Sequence, residues 1–134
     1  MKYLLDTNVC IVYLKGRSES VNQRFHRVPF HEIAVCSVVK AELLYGGKRS
    51  NNPQKTLIKQ RAFLAQFVSL AFDDAAAEIY SDLRACLATL GTPISSNDLQ
   101  IAAIALAHNL TVVTHNTREF SRVEGLQMED WESG

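Results

Sequence analysis

At 134 residues, with 47% apolar and 21% charged side chains, the chain has the size and make-up of one globular domain rather than of a disordered or fibrous protein. Its formal charge is zero, yet 11 basic and 4 acidic residues in positions 1–67, against 3 and 10 in the remainder, leave the halves at +7 and −7. Cys10, Cys36 and Cys86 lie far apart among apolar residues with no Cys-x-x-Cys spacing, which excludes a disulfide framework or zinc–thiolate site and suits a reduced, cytoplasmic compartment. No basic stretch followed by a long apolar run opens the chain, so no signal peptide is expected.

Taken in order, Lys2-Tyr3-Leu4-Leu5 reads as a short strand that stops at Asp6, and Asp-Thr-Asn opens a helix with Val9, Val12 and Tyr13 on one face and Gly16 at its end. Ser18 or Ser20 caps a second helix reaching about Phe25. Ile33-Ala34-Val35-Cys36 is a second buried strand. Ser37 is the expected N-cap of a helix carrying Val38, Ala41, Leu44 and Tyr45, with Gly46-Gly47 as its terminator. After the break at Ser50–Pro53, Pro53 suits the first turn of a helix reaching about Phe67. Val68-Ser69-Leu70 is strand-like. Asp73 or Asp74 caps a long helix with Ile79, Leu83, Leu87 and Leu90 on one face and Gly91 after it.

Residues 99–117 contain no Asp, Glu, Lys or Arg, but Gln100, His108 and Asn109 interrupt them, so a membrane span is not expected. The pattern instead predicts a buried helix from Asn97 or Asp98 to His108, a turn at Asn109, a strand over Thr111–Thr114 and an edge strand at Gln127-Met128, with Trp131 sealing the core. All three cysteines are expected in that core. Alternating strands and helices predict one α/β domain over 1–134, a parallel sheet of about four to five strands with helices on both faces.

Ligands of an open parallel sheet bind at the carboxyl ends of its strands. Asp6 follows the first strand and Glu42 lies about one and a half turns into the helix after the second. Asp98 begins the helix that precedes the last central strand, and Asn116 and Glu119 come after that strand. Singly, each has a plainer role. Asp6 and Asp98 suit helix caps, Glu42 an exposed helix face, and Glu119 a partner for Arg118 or Arg122. Jointly, at one sheet edge, they favour a site. Converging carboxylates resist ionising together and call for a cation, and oxygen-only ligands select Mg²⁺ or Mn²⁺. Such an ion facing a phosphate promotes metal-assisted phosphodiester hydrolysis. His115, beside Asn116, suits either substrate contact or a solvated loop.

The ordered series Leu4-Leu5-Asp6-Thr7-Asn8, Ala41-Glu42-Leu43-Leu44-Tyr45-Gly46, Gly91-Thr92-Pro93-Ile94, Asp98 with Ile101-Ala102-Ala103, Val113-Thr114-His115-Asn116 with Glu119-Phe120, Gly125-Leu126 and Glu129-Asp130-Trp131 resembles PIN-domain ribonucleases of the VapC toxin type. The resemblance runs from Tyr3 to Trp131. It implies a Mg²⁺- or Mn²⁺-dependent endoribonuclease acting on transfer or ribosomal RNA, neutralised by a VapB-type antitoxin, homodimeric, and touching DNA only through that antitoxin. Asp6, Glu42 and Asp98 match the family's three core acidic positions, with Asp6 and Asp98 as metal ligands. Asn116 matches a fourth position that holds Asp in many members, and Glu119 a further acidic one. Two departures stand out. Asn116 removes a charge, weakening any second metal, and Ser95-Ser96 replaces a Gly-containing turn.

Thr7, Asn8, Ser37 and His115 are the candidate substrate contacts near the acidic edge. Lys48 and Arg49, with Arg17, Lys55, Lys59 and Arg61, are expected to guide an RNA backbone toward it. An antitoxin's C-terminal segment is expected to lie along the first helices, against Val9, Val12, Tyr13 and Phe25, and to place an Arg among the carboxylates. Other classes fit less well. A haloacid-dehalogenase-like phosphatase wants Asp-x-Asp where residue 8 is Asn, a receiver domain wants an Asp after its third strand, and a dinucleotide binder wants Gly-x-Gly-x-x-Gly. A non-catalytic domain whose acidic pocket receives a basic peptide is the remaining alternative.

Overall fold

The computed structural model describes residues 1–133. Five strands, β1 (Tyr3–Leu5), β2 (Ile33–Cys36), β3 (Val68–Leu70), β4 (Thr111–Val113) and β5 (Met128–Glu129), form one sheet in the order β3-β2-β1-β4-β5, every neighbouring pair parallel. Successive side chains of a strand point to opposite faces. Leu4 and Leu5, Ala34 and Val35, and Val112 and Val113 are all fully buried, so the central strands are covered on both sides. That is why they read as continuous apolar runs rather than alternating ones.

The covering elements are α1 (Thr7–Leu14), α2 (Glu19–Arg27), α3 (Ser37–Lys48), α4 (Pro53–Leu64), α5 (Asp74–Leu90), α6 (Ser96–His108) and the short α7 (Thr117–Phe120). Helix starts follow side-chain capping. Ser18, Asn52, Asp73 and Ser95 each accept a hydrogen bond from the backbone N–H three residues on. Left-handed Gly91 (φ 70°) and Asn109 (φ 55°) end α5 and α6. The C-terminal segment docks through Trp131, whose ring packs edge-on against Tyr3 and Phe25 with centroids 5.3 Å away in both cases. Arg24 pairs with Glu129 and lies over the Trp131 ring, and Ser20 Oγ donates to the Trp131 carbonyl at 2.6 Å.

Several expectations shift. Ser37 is the first residue of α3, and Cys36 occupies the cap position with no side-chain cap bond. Gly46-Gly47 does not stop α3, which continues to Lys48. Gly47 is buried where a Cβ would collide with the Gln60 side chain of α4, so it serves close helix packing rather than termination. Helix α2 extends two residues beyond Phe25 to Arg27, and α4 stops at Leu64, short of Phe67. Cys10 and Cys36 are buried, with thiols pushed up chiefly by burial, to about 11 for Cys36, whereas Cys86 is exposed on α5. Leu90 is exposed too, although Leu87 one turn earlier is buried. No helix among the described residues is long and apolar enough to cross a membrane.

Candidate active site

The strand order reverses beside the central strand β1, whose carboxyl end and that of β4 therefore border a crevice. Asp6 leaves β1 there and is almost fully buried, 3% exposed. Its Oδ1 accepts from the Thr7 N–H at 2.7 Å and its Oδ2 from the Thr114 hydroxyl at 2.8 Å. Thr114 also accepts from the Asn116 N–H at 2.9 Å, so one hydroxyl ties the end of β1 to the loop after β4. Burial raises the Asp6 pKa, the Thr114 and Thr7 hydrogen bonds oppose that, and the charges of Glu42 and Glu119 add to it.

Glu42 comes in from α3, with both oxygens held. Thr7 Oγ1 donates to Oε1 at 2.6 Å and Asn97 Nδ2 to Oε2 at 3.1 Å. Asp98 stands in the first turn of α6, its N–H donating to Ser95 Oγ at 3.3 Å. Its carboxyl is pushed up to about 7, by burial first and then by the charges of Asp6 and Glu119. Glu119, on α7, and Asp98 influence each other, Glu119 raising Asp98 and Asp98 lowering Glu119. The Ser95 N–H at 2.8 Å, followed by Asn116 Nδ2 at 2.8 Å, keeps Glu119 below the usual carboxylate range. The fold thus brings Asp6, Glu42, Asp98, Asn116 and Glu119 to one sheet edge from separate stretches of chain.

No three of these carboxylates have oxygens within 4.8 Å of one another among the described residues. Such spacing fits a hard cation that retains several of its own waters, as Mg²⁺ does, and the donor set is oxygen throughout. The residues present therefore fit a Mg²⁺ or Mn²⁺ ion.

Of the remaining candidates, Thr7 points at Glu42, while Asn8 and Ser37 are exposed in the first turns of α1 and α3. Arg17, Lys48 and Arg49 are exposed, and Arg49 donates to the Tyr45 hydroxyl at 3.3 Å. His115 turns toward Asp130, Nδ1 to Oδ2 3.0 Å, and that bond raises its pKa, aided by the Glu132 and Asp130 charges. Thr114 and Asn97 are the site residues to which sequence reasoning gave no place in the site, and Ser95, noted there only as part of an altered turn, holds both the Asp98 N–H and Glu119. Ser95 and Asn97 flank Asp98, and Thr114 precedes His115-Asn116, so adjacency to the acidic positions was the available signal.

A cavity of about 420 Å³ opens beside Glu42 between α1, α3 and α4, floored by Ile11, Leu14 and Leu43 and edged by Lys15, Lys55 and Lys59. The groove expected along Val9, Val12, Tyr13 and Phe25 is not formed by those residues. Val9 and Phe25 are core, and Tyr13 stacks on Phe25 at 4.1 Å, leaving Ile11 and Leu14 to face the groove.

Residues 3–126 match the model of the PIN domain family. The chain is 40% identical to the tRNA(fMet)-specific endonuclease VapC of Shigella flexneri over 131 residues, 98% of each protein. A crystal structure of DNA-bound VapBC from Salmonella typhimurium superposes with a TM-score of 0.92 at 37% identity, covering 98% of both chains. VapBC-1 from nontypeable Haemophilus influenzae gives a TM-score of 0.88 at 31% identity, again with 98% of each chain covered.

Proposed function

Because the chain belongs to the PIN-domain family, and within it to the VapC proteins, we propose that it is a divalent-metal-dependent endoribonuclease, held inactive by a VapB-type antitoxin. The observation that carries this reading is the convergence of Asp6, Glu42, Asp98 and Glu119 on one crevice, with Asp98 pushed up to about 7 by burial and its acidic neighbours. Asp6 and Asp98 hold Mg²⁺, or Mn²⁺. The ion supplies activation of a water and stabilisation of the leaving oxygen in an in-line phosphodiester hydrolysis.

The side chains divide the remaining work. Asp98, with Asp6, would hold the ion, and Glu119, held by the Ser95 N–H and the Asn116 amide, would supply further negative charge beside them. Glu42 is fixed by Thr7 and Asn97 and faces the substrate side of the crevice as an acceptor. Asn116 orients Glu119 and adds no charge, which favours one tightly held ion over two. Thr7, Asn8 and Ser37 border the reacting phosphate, and Lys48, Arg49 and Arg17 lead the RNA backbone in, whereas His115, expected as a substrate contact, turns toward Asp130 and does not join them. The whole chain acts as one PIN domain, paired with a second copy, in the cytoplasm, and reaches DNA only through the antitoxin. Among RNAs, transfer RNA is the first class to test, since the Shigella relative bears that specificity in its name.

Sequencing RNA 5′ ends after brief induction of the free chain tests the reading. New ends at a few defined positions in transfer or ribosomal RNA are expected, absent with Asp98→Asn. The same ends in both, or none in either, would contradict it.

A further inference from the structure

Outside the carboxylate crevice, His115, Asp130 and Glu132 gather metal-ligating atoms that the hydrolytic site does not use. Thr114 and Asn116 are tied to Asp6 and Glu119, and His115 between them points the other way, as alternation past a strand end dictates. Its Nδ1 lies 3.0 Å from Asp130 Oδ2 and 3.6 Å from Glu132 Oε2, and the three ligand atoms lie within 4.8 Å of one another. Neighbouring ligands on an ion with bonds of about 2.0–2.2 Å are separated by roughly 3.0–3.5 Å, so the spacings bracket a coordination edge.

Asp130 is already oriented for this. The Glu132 N–H donates to its Oδ1 at 3.0 Å and Ser133 Oγ to its Oδ2 at 2.7 Å, so Oδ1 keeps a free lone pair and Oδ2 regains one when an ion replaces the His115 hydrogen bond. Among the described residues neither carboxylate pairs with a Lys or Arg, and the imidazole is the one cationic partner of both. Glu129 nearby is different, since Arg24 neutralises it. A neutral imidazole with two carboxylates is a mixed nitrogen–oxygen set that suits a borderline transition ion, whereas the all-oxygen crevice suits a hard one.

We propose that His115, Asp130 and Glu132 form a second cation site, separate from the catalytic crevice, that takes a divalent transition ion of the Zn²⁺ class and clasps the C-terminal turn to the loop after β4. On binding, the ion takes the Nδ1 lone pair, any proton there leaves to solvent, Nε2 keeps its hydrogen, and water completes the coordination. The clasp acts on the segment that carries Thr114 and Asn116, the residues that hold Asp6 and Glu119.

The experiment is calorimetric titration of the full chain with Zn²⁺ in excess Mg²⁺, which occupies the crevice, together with thermal melts. Wild type and Asp98→Asn are both expected to bind one Zn²⁺ and to melt higher with it. His115→Asn and Glu132→Gln, folded by circular dichroism, are expected to bind it at least about tenfold more weakly and to lose the shift. Unchanged Zn²⁺ affinity in His115→Asn, or binding that disappears in Asp98→Asn instead, would overturn the proposal. The nuclease reading does not depend on the outcome.

Discussion

Asp98 is the residue where burial and like charge act together most strongly, and its titration makes a stability prediction. Its folded pKa of about 7 stands above the ordinary value of 3.8, so between those limits the folded state binds the proton more tightly than the unfolded one. Stability without metal therefore falls as pH rises through that window. Asp6, also raised, acts in the same sense. Glu119 acts oppositely, since its lowered pKa supplies stability that is lost only as pH drops below its ordinary 4.5. Thermal midpoints in EDTA from about pH 5 to about pH 8 should decline more steeply for wild type than for Asp98→Asn, with the variant the more stable at the upper end. Equal slopes would mean that Asp98 feels no strain from its neighbours.

At the scale of elements, the packing of α3 on α4 separates two adjacent glycines. Both lie inside α3, but a Cβ at Gly46 meets open space and one at Gly47 meets Gln60, whose buried Oε1 has no hydrogen-bond partner. Gly46→Ala should therefore raise stability by up to about 1 kcal/mol through helix propensity. Gly47→Ala should give no such gain, since displaced Gln60 offsets it. Denaturant midpoints of the two variants decide this, and equal gains would mean Gln60 moves aside freely. The same pair marks a limit of sequence reasoning. A double glycine after Tyr45 has the signature of a helix end, and nothing local reveals that a neighbouring helix needs the absent side chain.

Buried strands were legible because both of their faces are covered, and two caps were narrowed to a pair each, Ser18 or Ser20 and Asp73 or Asp74, of which the first serves in both cases. The four-residue α7 is too short for periodicity to show, and Cys86 and Leu90 are exposed on either side of buried Leu87, which helical spacing alone does not decide. In the crevice, the acidic positions were visible from their places after strands. The hydroxyl of Thr114 and the amide of Asn97 reach their partners across 108 and 55 residues, a relation no local pattern carries. Charge offers a further test at this scale. Lys48 lies about 9 Å along α3 from Glu42, six residues at 1.5 Å each, so the helix end is in reach of a backbone threaded into the crevice. Lys48→Glu with Arg49→Glu should reduce the slope of log affinity for RNA against log salt by about 2, one for each phosphate no longer neutralised. An unchanged slope would mean that both side chains are only solvated.

For the whole molecule, the proposed function has the same negative charge in the crevice serve both catalysis and inhibition. Carboxylates that bind a cation also accept a guanidinium, whose planar fork pairs with them bidentately. The cavity between α1, α3 and α4 shares Glu42 with that crevice and combines apolar Ile11, Leu14 and Leu43 with Lys15, Lys55 and Lys59. Replacing the antitoxin's crevice-reaching Arg with Ala should weaken binding and restore cleavage, and Asp6→Asn in the toxin should weaken binding of the unaltered partner. Full inhibition by the Ala variant would move the antitoxin's action elsewhere. The central claim, that these carboxylates form a metal-dependent RNA-cleaving site, is tested most directly by incubating the antitoxin-free chain with RNA in Mg²⁺, in EDTA, and as Asp98→Asn. Cleavage in Mg²⁺ alone, abolished by EDTA and by the substitution in a folded variant, is the predicted result; cleavage that survives either would contradict the account.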